Sequence, residues 1–216
     1  MDKWIAADWP APATVVGGTT LRGGHFDELG LDGEPCWLEQ VHGAEVVRAG
    51  QYPTPPKADG SVSRTPDRVC VVQTADCLPV LLCNQTGTVV AAAHAGWRGL
   101  AAGVIENAIA VMAVDPTTVM AWLGPAISQP SFEVGDEVRG AFMVHKAADS
   151  AFFERNARGR WQADLYGLAR RRLVDAGVVQ VYGGRYCTYR DQARFHSYRR
   201  DPGCGRMVSF VGAAAP

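Results

Sequence analysis

Three short apolar runs, Val69–Val72, Val80–Cys83 and Val89–Ala93, follow one another closely and are divided by turn residues. Runs this short and this continuous predict strands buried on both faces rather than helices. Asn84-Gln85-Thr86-Gly87, between the second and third run, predicts a hairpin turn. Upstream, the β-branched segment Thr14–Thr20 leads into a turn at Leu21–Gly24. Two short strands, Cys36–Val41 and Glu45–Arg48, are expected around His42-Gly43, and Gln51–Pro56 with its three prolines is expected to be a loop.

Beyond Gly99 the period changes. Leu100–Ala113 spaces its apolar residues as a helix does, with Glu106 and Asn107 on the other side and a stop near Asp115-Pro116. A strand is expected over Val119–Leu123, then helices over Asp136–Lys146 and Asp164–Ala176, the latter stopped by Gly177. Val178–Tyr182 and Met207–Val211 complete the strands. The two element types mix without strict alternation, which predicts a mixed α/β (α+β) fold rather than a doubly wound one. The 216 residues show no seam or internal repeat, so one domain over 1–216 is expected.

Composition narrows the function classes. The formal net charge of −1 supplies no long-range attraction to nucleic acid or to anionic lipid. The first residues lack the basic-then-apolar layout of a secretory signal, and no stretch approaches the ~20 apolar residues of a membrane span. A cytoplasmic protein is therefore expected. Of the six cysteines, Cys36, Cys70 and Cys83 lie in apolar strand-like runs and read as buried free thiols.

Cys77 sits in different company. Gln40-Val41-His42-Gly43, Thr74-Ala75-Asp76-Cys77-Leu78-Pro79 and Ala93-His94-Ala95-Gly96-Trp97-Arg98-Gly99 each place a soft or borderline metal ligand at or near a strand end. His42 and Cys77 are 35 positions apart, and Cys77 and His94 are 17 apart. A zinc finger takes its ligands in close pairs, whereas this spacing suits ligands gathered by the fold. Three ligands with a vacant fourth position are the arrangement of a catalytic zinc. The residues taken singly also admit a plain reading, two structural histidines and an inert thiol.

Gly96–Gly99 joins a strand to a helix start, where free N–H groups and Arg98 would suit an anion. His196-Ser197-Tyr198-Arg199-Arg200-Asp201 is dense in donors. Its His196 and Arg199 are candidates for substrate or phosphate binding, and a solvated loop is the competing reading. Asp76 is a candidate to orient a ligand histidine, or is simply a turn residue.

Taken together, these segments resemble the laccase-domain (YfiH-like) proteins, as do Ala58-Asp59-Gly60 and Leu123-Gly124-Pro125-Ala126-Ile127. The blocks run in family order from about Val15 to Phe210. The family was first labelled multicopper polyphenol oxidase and is now regarded as purine nucleoside phosphorylases with adenosine deaminase activity. The resemblance implies that His42, Cys77 and His94 are zinc ligands and catalytic residues. It implies a single-domain, four-layer α/β/β/α sandwich with a mixed sheet. The stretch between the Thr19–Gly24 turn and Gln40 is shorter than the family pattern, so a helix is expected to be missing there.

The implied reaction is phosphorolysis of adenosine, inosine or guanosine, with methylthioadenosine a further candidate, to free base and ribose 1-phosphate. Arg98, His196 and Arg199 are the residues expected to bind phosphate or substrate. The partners are then a nucleoside and phosphate, with no nucleic acid or membrane, in a monomer or homodimer. A copper-dependent polyphenol oxidase is the rival enzyme. A His/Cys site binds Cu(II) tightly in vitro, but a multicopper cluster needs more than the five histidines present. A zinc-stabilised binding module is the non-enzymatic alternative, and it requires a fourth protein ligand.

Overall fold

The computed structural model describes residues 3–214. In chain order its strands begin with β1 Trp4–Ala6, β2 Val15–Thr20, β3 Glu34–Cys36, β4 Val46–Arg48, β5 Gly60–Ser63, β6 Arg68–Thr74, β7 Leu78–Asn84 and β8 Val90–Ala95. They continue as β9 Val119–Leu123, β10 Glu133–Val134, β11 Phe153–Arg155, β12 Trp161–Ala163, β13 Gln180–Gly183 and β14 Met207–Ala213. The α-helices are α1 Trp97–Ala102, α2 Val104–Met112, α3 Asp136–Met143 and α4 Leu165–Asp175. Two mixed sheets dominate, a six-stranded one in the order β13-β9-β7-β8-β5-β4 and a five-stranded one in the order β1-β2-β14-β6-β3. A small sheet, β10-β12-β11, stands apart.

The apolar runs read from the sequence are strands β6, β7 and β8. Every residue of β7 is buried because both of its faces are covered. Leu81 and Cys83 point between the sheets and meet Cys70, Val72, Trp122 and Val211. Val80 and Leu82 point the other way, into a cluster with Leu100, Ile105, Met112 and Leu168 from the helices. Burial of one such leucine is worth about 1.5–3 kcal/mol. Among the described residues no helix is long and apolar enough to cross a membrane.

The layer order is helices, six-stranded sheet, five-stranded sheet and a thin fourth layer. That last layer is a four-residue 3-10 turn, Phe26–Leu29, in place of a full helix. Phe26 packs edge-on against Trp37 at 5.6 Å and against Phe210 at 6.1 Å. Together with Trp4, Leu29 and Leu31 these rings cover Val69, Val71 and Val208. Aromatic bulk thus does the covering in the shortened segment.

Two expectations need correction, and one strand has no counterpart among them. The helix expected over Leu100–Ala113 starts earlier, at Trp97, and is split at Gly103, whose φ of 96° interrupts the helical hydrogen bonding. The strand expected over Cys36–Val41 is only Glu34–Cys36, because the chain beyond it turns to form one wall of the site. Strand β5 was not foreseen, since Gly-Ser-Val-Ser carries little apolar signal although all four residues are buried.

The site is built where the sheets meet. β6 belongs to the five-stranded sheet and β7 to the six-stranded one, so Ala75-Asp76-Cys77 is the crossing between them. β5 pairs antiparallel with β8, with Gly60 opposite Ala93, which sets Asp59 beside His94.

Candidate metal centre

His42, Cys77 and His94 each offer a ligand atom, and these atoms lie within 4.8 Å of one another. His94 is the last residue but one of the buried strand β8 and is itself buried, Cys77 is half-buried, and His42 is exposed on its turn. The two imidazole rings meet edge to face, 4.8 Å between centroids. Two non-glycine residues here occupy the left-handed region, His42 at φ 60° and Asp76 at φ 92°. Each such residue costs of order 1 kcal/mol or more and persists only when its surroundings hold it.

What holds His42 is Asp59. Its fully buried carboxylate accepts hydrogen bonds from the backbone N–H groups of His42 at 2.9 Å, Gly43 at 2.6 Å and Val41 at 3.2 Å. The same carboxylate lies 2.8 Å from His94 Nδ1. One side chain therefore shapes the first ligand turn and orients the second ligand ring, leaving Nε2 of His94 for the metal. Burial alone would raise the Asp59 pKa, but the bonds from His94 and Gly43 more than offset it and the pKa falls.

The donor set suits a divalent cation. Burial opposes ionisation of Cys77, yet hydrogen bonds from His42 and His94 outweigh it and bring the thiol down to about 6. Burial likewise opposes charging of His94, and Asp59 and Cys77 together raise it to about 9. The protein alone thus stabilises a thiolate, the form that ligates metal. A Cβ placed on Gly96 would sit 2.9 Å from Cys77 Sγ and 3.4 Å from His94 Nε2, so the glycine keeps the space between the donors clear. Gly96→Ala is accordingly expected to weaken metal binding by about tenfold or more in a competitive chelator titration. Wild-type affinity in that variant would show that the donors do not need this clearance.

The three residues lie in the wall of a cavity of about 590 Å³, within the range of small-molecule sites. Trp97, Phe132, Leu165 and Tyr198 supply apolar surface, and Arg199 and Arg206 supply charge. Gln40 closes one wall by donating to the Gln73 carbonyl at 2.9 Å and accepting from the Gln73 N–H at 2.7 Å.

The remaining candidates fall differently. Asp76 does not orient a histidine. Its carboxylate accepts from Thr188 Oγ1 at 2.6 Å, Ser197 Oγ at 3.0 Å and the Arg199 N–H at 2.7 Å, which fastens the 196–201 loop to the residue before Cys77. Arg199 lines the cavity; Arg98 and His196 are not among its lining residues. Arg98 is exposed and stacks over the Trp97 ring, 4.3 Å from its centroid. The His196 N–H is held by Met207 Sδ, and its ring lies against Gly205. Asp59 and Arg206 carry parts of the site that spacing did not indicate. The signal for Asp59 was its place in Ala58-Asp59-Gly60, just before a strand.

Residues 22–214 match the family model described as multi-copper polyphenol oxidoreductase laccase. The chain belongs to that family. This laccase-family chain is 46% identical over 241 residues to the purine nucleoside phosphorylase YfiH of Escherichia coli (strain K12), covering 98% of this chain and 99% of the relative. A purine nucleoside phosphorylase of Pseudomonas aeruginosa is 45% identical over 239 residues, with 98% of each chain covered. The crystal structure of a Neisseria meningitidis protein superposes with a TM-score of 0.95 at 42% identity, over 99% of this chain and 100% of that one. The YlmD structure from Geobacillus stearothermophilus, at 24% identity and a TM-score of 0.91, shares the fold. The alignment to the Escherichia coli protein spans 241 positions against 216 residues here, so the relative carries residues that this chain lacks.

Proposed function

We propose that residues 1–216 form a single-domain, zinc-dependent purine nucleoside phosphorylase. It converts adenosine, inosine or guanosine and phosphate to free base and ribose 1-phosphate, methylthioadenosine giving adenine and the 5-methylthio derivative of that sugar phosphate, and it deaminates adenosine as a side activity. The names borne by the full-length relatives support the reaction class. The observation that carries the site is the convergence of two imidazoles and one thiolate in the wall of a nucleoside-sized cavity.

The borderline donor set of His42, Cys77 and His94 suits zinc, and the group contains three residues, the number that leaves a catalytic zinc an open position. A purely structural zinc would call for a fourth. When bound, zinc supplies Lewis-acid chemistry at this wall of the cavity. The chain's own residues do the rest. Asp59 fixes the His94 ring. Trp97, Phe132 and Tyr198 offer faces against which a purine stacks. Arg199 meets the anion, while Arg98 acts at one remove by covering the Trp97 ring. Phosphate held in that orientation attacks the anomeric carbon of the ribose as the glycosidic C–N bond breaks and its electron pair leaves with the purine, so positioning and charge stabilisation lower the barrier.

The polyphenol oxidase reading lacks comparable support. His25, His145 and His196 are absent from the cavity lining, which leaves two of the five histidines beside the thiol. A panel of purine nucleosides, assayed with and without phosphate on protein of measured metal content, tests the proposal. Hypoxanthine release from inosine is expected to require phosphate. Release at the same rate without phosphate, or no release from any nucleoside, would refute it.

A further inference from the structure

Two cavity arginines, far from the donors in sequence, share an unusual setting. Arg199 lies over the Phe132 ring, 5.6 Å from its centroid, and its Nη1 donates to the Glu133 carbonyl at 3.0 Å. Arg206 lies over the Tyr198 ring at 5.7 Å, and its Nη1 donates to the carbonyls of Cys204 at 3.0 Å and Gly205 at 3.1 Å. Each guanidinium is thus laid on an aromatic face and anchored by backbone oxygen through one nitrogen. The other donors of each planar fork stay available.

Neither arginine forms an ion pair with a carboxylate among the described residues, although most other ion pairs of the chain use arginine. The acid in the cavity lining is Asp76, and its two oxygens already accept three hydrogen bonds. The Glu133 carboxylate next to Arg199 is held by Asn156 and Arg158. Two preoriented cations therefore line one cavity with no carboxylate paired to either guanidinium among the described residues, which is the electrostatic setting of an anion site. Asp76 also accepts from the Arg199 backbone N–H, which ties Arg199 to the turn that carries Cys77.

We propose that Arg199 and Arg206 form a two-arginine subsite for a phosphate dianion, the inorganic co-substrate. This rests on the phosphorolytic reading above and adds the residue that reading lacks. A planar fork pairs its donors with the oxygens of a tetrahedral dianion, and two forks lining one cavity offer more such pairs than a single arginine does. The phosphate group of a nucleoside 5′-monophosphate has the same chemistry, and the experiment separates the two sources.

Inorganic phosphate is titrated calorimetrically into the metal-loaded full chain and into its Arg206→Gln and Arg206→Lys variants. The phosphate KM and the inosine KM are then measured for each. Arg206→Gln is expected to weaken phosphate binding and raise its KM by about tenfold or more, with the inosine KM moving by no more than about twofold. Arg206→Lys, which keeps the charge and loses the fork, is expected to fall between. Unchanged phosphate binding in Arg206→Gln overturns the proposal. So does a parallel rise in both KM values, which marks a merely structural residue. Preference for inosine 5′-monophosphate over inosine, lost in Arg206→Gln, overturns it in favour of the ester. A wild-type chain that binds phosphate through Arg206 but releases no base would sink the reaction and still support the subsite.

Discussion

Asp59→Ala is expected to lower zinc affinity by about 10–100-fold and to destabilise the fold by about 3–5 kcal/mol. Both effects come from one buried carboxylate that serves two masters. Its removal strands the N–H groups of Val41, His42 and Gly43, so the turn presenting His42 loses the bonds that keep it at φ 60°. It also frees the His94 ring, which the carboxylate fixes through Nδ1. An unpartnered buried donor costs about 1–3 kcal/mol, and the affected groups share one network, so the losses do not simply add. Asp59→Asn preserves the volume and is expected to fall between, because an amide offers one acceptor oxygen where the carboxylate uses two. Urea denaturation and chelator competition measure the two quantities. Wild-type zinc affinity in Asp59→Ala would show that the ring needs no such support.

Cys77→Ala is expected to take bound zinc from one ion per chain to a small fraction and to cut kcat/KM for inosine by more than about a hundredfold. The control is Cys83→Ala. Cys83 lies between the sheets, and burial pushes its thiol up to about 12, so its loss costs packing and leaves the metal in place. Elemental analysis of both purified variants, followed by phosphate-dependent assay, decides the matter. Equal metal content in the two would remove Cys77 from the centre.

The site was partly legible in the sequence. His42, Cys77 and His94 stood out because each lies at or near a predicted strand end and because the resemblance to the laccase-domain blocks singles out the same three residues. The core strands were legible because β6, β7 and β8 are sandwiched and therefore continuously apolar. Strand β5 was not, because close approach of neighbouring chains selects small residues there, with Ala92 O and Val46 about 3.1 Å from where a Gly60 Cβ would lie. Asp59 was hidden for the same reason: its role depends on a strand pairing that leaves no hydrophobic pattern. Arg98 looked like an anion ligand because glycines flank it, but the first turn of α1 aims it outward onto Trp97. Arg206 sits in a short polar run, and only the folded loop lays it beside Tyr198.

Gln40 has one more effect. Strand β3 covers β6 only as far as Cys70, so among the described residues the end of β6 has no neighbouring strand on that side. There the primary amide of Gln40 imitates a peptide group, giving Gln73 both a donor and an acceptor. A single side chain thus seals a margin that would otherwise invite a foreign β-segment to dock. The backbone of Gln73, at the edge of the cavity, is thereby satisfied from within the chain.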